Sequence, residues 1–210
     1  MLTKTYQTLG MTTTISSLKS YKTPLRYPGG KSRACKKMEP FFPDLRDYDV
    51  YYEPFLGGGS VALHITKKYP KLKIVVNDLY EPLYNFWLRL QVDGDYVHSQ
   101  LQQLKSRYPD RGSARGLFED AKEKLYDLDI SDKDRAVCFY IINKCSFSGL
   151  TESSSFSEQA SDANFSMRGI DKLPVYSKLI KNWYITNVDY KVLLGDKEKT
   201  FVYLDPPYDI

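Results

Sequence analysis

The chain has 210 residues, of which 42% are hydrophobic and 27% charged, and a formal net charge of +4. That length suits one domain with a sizeable core and one insertion, and the composition is that of an ordinary globular protein. No apolar run approaches the ~20 residues needed to span a bilayer, and the N-terminus lacks the basic-then-apolar order of a signal peptide.

Cys35, Cys138 and Cys145 show no CxxC spacing, and His64 and His98 are the only histidines, which argues against a zinc site. A cytoplasmic, metal-free protein is therefore expected. Positive charge is unevenly spread. Residues 1–46 oppose nine Lys/Arg to Glu39 and Asp44, and Lys105, Arg107, Arg111 and Arg115 face only Asp110. Such clusters attract phosphate, or they are solvated surface.

Residues 1–23, rich in Ser and Thr, read as a loose leader. At Arg26-Tyr27-Pro28-Gly29-Gly30-Lys31 the character changes to a tight turn before a helix start. The glycine spacing of a nucleotide phosphate loop is absent there. Residues 50–65 read, in order, as a strand, a glycine turn and a helix. The third glycine of a dinucleotide fingerprint is missing, so this turn offers bare backbone to a ligand without indicating a pyrophosphate. Lys73–Leu79 is a short apolar strand with Asp78 at its end. A carboxylate there accepts from both hydroxyls of a ribose, or it caps the helix that follows. Its distance from Gly57 and Gly59 favours the ribose.

Leu83, Phe86, Trp87 and Leu90 form one helical stripe, read as core. Gly94 and the stretch 107–116 are predicted breaks, with helices at 117–128 and 135–142. Residues 143–173 are expected to be irregular, a length that usually marks a functional or disordered segment. Strand composition returns at Lys181–Val188, ahead of Asp189.

The last strand, Phe201–Leu204, runs into Asp205-Pro206-Pro207-Tyr208. Prolines stop a strand, so Asp205 falls at the carboxyl edge, where open α/β sheets bind ligands. The fourfold set has a chemical logic. An aryl amine is a poor nucleophile because its lone pair is delocalised. A carboxylate and a carbonyl accepting from the same NH2 localise that pair, and an aromatic ring supports the base. Taken alone, the motif is also plain turn chemistry.

Four landmarks occur in one order: Arg26–Lys31, Glu53–Ser60, Asn77-Asp78 and Asp205–Tyr208. As a set they resemble the Dam-type (D12 class) DNA adenine-N6 methyltransferases, from about residue 24 to the C-terminus. The resemblance implies an α/β, Rossmann-like domain that uses S-adenosyl-L-methionine and takes double-stranded DNA as substrate. It would lie at 24–84 and 174–210, with a helical target-recognition insert at 85–173. It implies that Tyr27, Lys31, Glu53, Phe55, Gly57, Gly59, Asp78, Asp189 and Asp205 serve the cofactor, Lys31 near its carboxylate. Asp205, Pro206 and Pro207 would form the amine site, with Tyr208 stacked on a flipped adenine. It implies no metal, no membrane, and a cytoplasmic setting in a bacterial cell, or in a host cell if the gene is carried by phage. Asn143-Lys144-Cys145-Ser146-Phe147-Ser148-Gly149-Leu150 resembles the family's hairpin that enters DNA. Asn143, Phe147 and Ser148 are the DNA contacts the resemblance implies; Arg107, Arg111 and Arg115 join them from the basic cluster, and Arg168 as a substitute reader of guanine. Glu152 stands where members that modify GATC carry a guanine-reading arginine, which speaks against GATC.

Members of the family continue past the Asp-Pro-Pro-Tyr motif, so the reading expects an incomplete domain, weak by itself and helped by a C-terminal segment in trans. The alternatives are a non-catalytic remnant that binds DNA or cofactor, one part of a split enzyme, and a methyltransferase acting on another planar amine.

Overall fold

The computed structural model describes residues 22–149, 154–195 and 198–207. Its centre is a four-stranded sheet of β1 (Val50–Glu53), β2 (Lys73–Asn77), β3 (Tyr184–Thr186) and β4 (Thr200–Val202), in the order β3-β2-β1-β4. Every pairing is parallel, with Val50 opposite both Lys73 and Thr200. Parallel strands require crossover connections, and α2 (Ser60–Lys68) supplies the one between β1 and β2. The architecture is the Rossmann-like methyltransferase sheet expected from the sequence.

β2, β3 and β4 are shorter than predicted. The terminal one covers Thr200–Val202, although Tyr203 N–H still donates to Tyr52 O at 2.8 Å. Asp205 therefore sits in an extended segment just beyond the ladder.

Ten helices are numbered here along the described chain. Before the sheet lies the short α1 (Cys35–Met38). Then come α3 (Glu81–Val92), α4 (Gly94–Arg107), α5 (Arg111–Leu125) and α6 (Asp132–Cys145). The last four are α7 (Glu158–Asn164), α8 (Met167–Ile170), α9 (Leu173–Leu179) and α10 (Tyr190–Leu193). Helix α3 forms as its sequence dictates: Glu81 and Pro82 suit the first turn, Arg89 the last, and the stripe Leu83, Phe86, Trp87 and Leu90 is 0% exposed. It crosses the expected domain boundary and packs on both sides, with Phe86 stacked on Tyr140 of α6 and Trp87 tilted against Trp183 before β3.

Two predictions of irregular chain are corrected. Helix α5 begins at Arg111 and runs through Gly112 and Gly116, because Asp110 caps it by accepting from Ser113 N–H at 2.9 Å. Much of 143–173 is also helical. Ser157 caps α7 and Ser166 caps α8, and Phe165 and Ile170, among the apolar residues that anchor this stretch, are 0% exposed. The polar composition that suggested a loop is the solvated face and the caps of short helices. Among the described residues no helix is long and apolar enough to cross a membrane, and no group of three or more His, Cys, Asp or Glu is placed to hold a metal.

Candidate active site

The carboxyl edge of the sheet collects the sequence-predicted residues. After β1 the chain turns through Gly57 (φ +50°) and Gly59 (φ +67°) into α2, left-handed conformations that favour glycine. The close approach that excludes a side chain comes from the protein's own rings. A Cβ on Gly57 would lie 2.8 Å from the Tyr27 ring, and one on Gly59 2.7 Å from Trp87. Trp87 also donates its indole N–H to Gly57 O at 3.2 Å. The sequence reading gave Trp87 to the core alone; it also holds the glycine turn. Thr23 hydroxyl donates to Gly58 O and Tyr176 hydroxyl to Lys22 O, so these two residues of the expected leader are tied to the site.

Beside this turn stands Asp78. Its Oδ2 accepts from Gly57 N–H at 2.8 Å and its Oδ1 from Tyr80 N–H at 3.0 Å. Burial raises its pKa, against the lowering effect of those two donors. Asp78 is not the cap of α3, whose N-cap is Tyr80 without a side-chain hydrogen bond; it ties β2 to the glycine turn, while each ionised oxygen keeps a lone pair for a further donor. The phenol of Tyr27 is pushed up to about 12, chiefly by burial and then by Asp78, Tyr80 and Asp205. Tyr27 therefore lies within the field of both carboxylates, although 44% of the residue is exposed.

Asn77, a landmark with no assigned role, proves to be a clamp. It is 1% exposed and makes four hydrogen bonds: Nδ2 to Pro54 O and Val188 O, Oδ1 from Thr186 hydroxyl and Val188 N–H. The ends of β1, β2 and β3 are pinned together by one side chain. Asp189 caps α10, accepting from Lys191 N–H at 2.9 Å. Its neighbour Tyr190 packs its ring 5.0 Å from that of Phe55, closing that flank of the edge.

Glu53 is 3% exposed under the turn, where it accepts from Tyr51 hydroxyl at 2.7 Å and from Ala62 N–H. Burial lifts its pKa to about 8. It stands behind the cleft lining rather than on its surface.

Across the edge, Lys31 Nζ lies 2.7 Å and 3.1 Å from the two carboxylate oxygens of Asp205 and donates to Gly29 O at 3.1 Å. The residue implied for the cofactor and the residue implied for the amine are thus joined directly. Pro206 and Pro207 follow, exposed, and Tyr208 lies outside the described residues. An open cleft of about 930 Å³ sits at the opposite end of the sheet, lined by Glu39, Phe42–Arg46, Tyr48, Asp49 and Lys68–Leu72 and by none of the site residues.

The predicted DNA contacts separate into three groups. Phe147 is 68% exposed at the head of a turn closed by Phe147 N–H donating to Ser155 O and by the bridge of Ser146 with Phe156. Ser148 lies in the same single turn, and Arg107 and Arg168 are exposed at the end of α4 and in α8. Arg111 pairs with Asp162 at 2.7 Å and Arg115 with Glu158 at 3.7 Å, so acids of α7 offset this part of the basic cluster. Asn143 departs most from expectation: it is 1% exposed, and its amide bonds Arg26 and Gly149 of the chain itself. Glu152 lies outside the described residues.

A parallel α/β sheet with a glycine turn after its central strand and carboxylates gathered on its carboxyl edge defines a Rossmann-like methyltransferase. Within that class the chain belongs to the D12 class N6 adenine-specific DNA methyltransferase family, whose sequence model matches residues 27–210. It is similar to the type II methyltransferase M.MjaIII of Methanocaldococcus jannaschii, with 27% identity over 88% of this chain and 68% of that protein. It is also similar to modification methylase StsI of Streptococcus sanguinis, with 24% identity over 92% of this chain but only 30% of that protein.

Proposed function

We propose that this chain binds S-adenosyl-L-methionine at the carboxyl edge of its sheet and directs its methyl group to the N6 amine of an adenine flipped out of duplex DNA. The observation that carries the reading is the convergence of Asp205, Lys31, Tyr27 and Asp78 around the turn Gly57–Gly59. The residues fit the cofactor in kind. Asp78 has lone pairs left for ribose hydroxyls, Lys31 is a cation for a carboxylate, and Phe55, Tyr190 and Tyr27 offer ring surface. The cofactor supplies a sulfonium methyl already activated toward a nucleophile.

The protein's own task is positioning. Asp205 accepts one N–H of the amine and the Pro206 carbonyl the other, localising the lone pair. Tyr208 stacks on the base. Phe147 fills the space left in the duplex, and Arg107, Arg111, Arg115 and Arg168 meet the phosphate backbone. The family description supports this substrate, and the type II methyltransferase and the modification methylase among the relatives support methyl transfer. Incubation with labelled S-adenosylmethionine and unmethylated DNA should yield N6-methyladenine. Label found in RNA or protein but not in DNA would defeat the reading.

The cofactor site has its own test. Asp78→Ala removes the hydroxyl acceptor and releases Gly57 N–H. Calorimetry should show cofactor affinity weakened by roughly 2–3 kcal/mol. Unchanged affinity would leave Asp78 only as the tie between the glycine turn and Tyr80.

A further inference from the structure

Two segments 117 residues apart in sequence are locked to each other through one side chain. The amide of Asn143 takes both backbone groups of Arg26. Its Oδ1 accepts from Arg26 N–H at 2.9 Å, and its Nδ2 donates to Arg26 O at 2.7 Å and to Gly149 O at 3.0 Å. An amide used this way serves residue 26 as a strand partner would. Two further contacts tighten the grip. The Arg26 guanidinium donates to Ser146 O, and Gly149, at φ +76°, lies so close that a Cβ there would stand 2.6 Å from Arg26 Cβ.

Residue 26 is thus held by 143, 146 and 149, the turn that presents Phe147. Its other neighbour is Tyr27, whose ring covers Gly57 and Gly58, and Lys31 a few residues on grips Asp205. The link is continuous, hydrogen-bonded and buried at its centre, so it has little slack. A shift of the Phe147 turn moves the Arg26–Tyr27 peptide and the ring lying on the glycine turn.

We infer that Asn143 couples the turn that engages DNA to the cleft that holds the methyl donor, so that each ligand tightens the binding of the other. This rests on the functional reading above, and it reassigns Asn143 from DNA contact to positioning residue. Coupling of this kind is reciprocal and is carried by contiguous packed and hydrogen-bonded groups.

The test uses the full chain and S-adenosylhomocysteine, the non-reactive product. Its dissociation constant is measured by calorimetry with and without saturating fragments of unmethylated genomic DNA. The wild type should bind at least about fivefold tighter with DNA present. In Asn143→Ala, and independently in Gly149→Ala, that ratio should fall to within about twofold of one. A merely structural role would weaken both measurements and preserve the ratio, and that outcome overturns the inference. A wild-type ratio of one, with both ligands bound, also overturns it and leaves the functional reading standing. A wild type that binds neither ligand defeats the functional reading and this inference with it.

Discussion

Asp205→Asn is expected to reduce methyl transfer by roughly 10²–10³-fold, the range for losing one preorganised hydrogen-bonding group at a reacting centre. The substitution keeps the shape of the side chain but replaces one acceptor oxygen by an NH2 that faces the substrate amine donor to donor. The same side chain meets Lys31 at 2.7 Å, with about a quarter of each partner exposed. A single pair with part of each charge in water contributes on the order of 1 kcal/mol to folding, and asparagine keeps one oxygen for the lysine. Melting temperature should therefore move by a few degrees at most while turnover collapses at saturating cofactor. Residual turnover within tenfold of wild type, measured on DNA that the wild type methylates, would remove Asp205 from the amine site.

Glu53→Gln should flatten the dependence of stability on pH. Burial raises the Glu53 carboxyl from its ordinary 4.5 to about 8 in the folded protein. Its proton is thus bound more tightly in the folded state than in the unfolded chain. The sign follows from linkage: the favourable contribution is complete below pH 4.5, where both states are protonated, and is lost as pH rises toward 8. A shift of that size corresponds to a loss on the order of 3–5 kcal/mol across the window. Asp78, also raised by burial, adds to the same slope. Lys144 acts elsewhere on the scale. Only 9% exposed, its ammonium is brought down to about 7 by burial and by Arg26, so its contribution is lost as pH falls from 10.5 through 7. Below pH 7 that effect levels off, which leaves pH 5–7 to report on the two carboxyls. Denaturant unfolding at pH 5, 6 and 7 should show wild type losing stability and Glu53→Gln losing much less. Parallel lines for the two proteins would mean that Glu53 is ionised in the folded state.

Some of this protein was fixed by residues near one another in sequence. The order of strand, glycine turn and helix after Val50, the stripe on α3, and the acid at the end of each strand all express backbone dihedrals and local periodicity. The family was legible for the same reason, because its motifs are short and contiguous. Local signals also misled. Polar residues 154–173 hid helices whose caps and few apolar anchors carry little periodic signal, and Gly112 and Gly116 read as breaks inside a well-capped α5. The meeting of Lys31 with Asp205, 174 residues away, follows from a sheet order that lays β4 beside β1. The same tertiary choice gave Asn77 its four partners, placed the aromatic rings on the glycine turn, and turned Asn143 inward onto Arg26. A side chain's type states what it can donate or accept. Which group it meets depends on the packing of distant segments, and that was decided only when the sheet closed its order and α3 and α6 packed together.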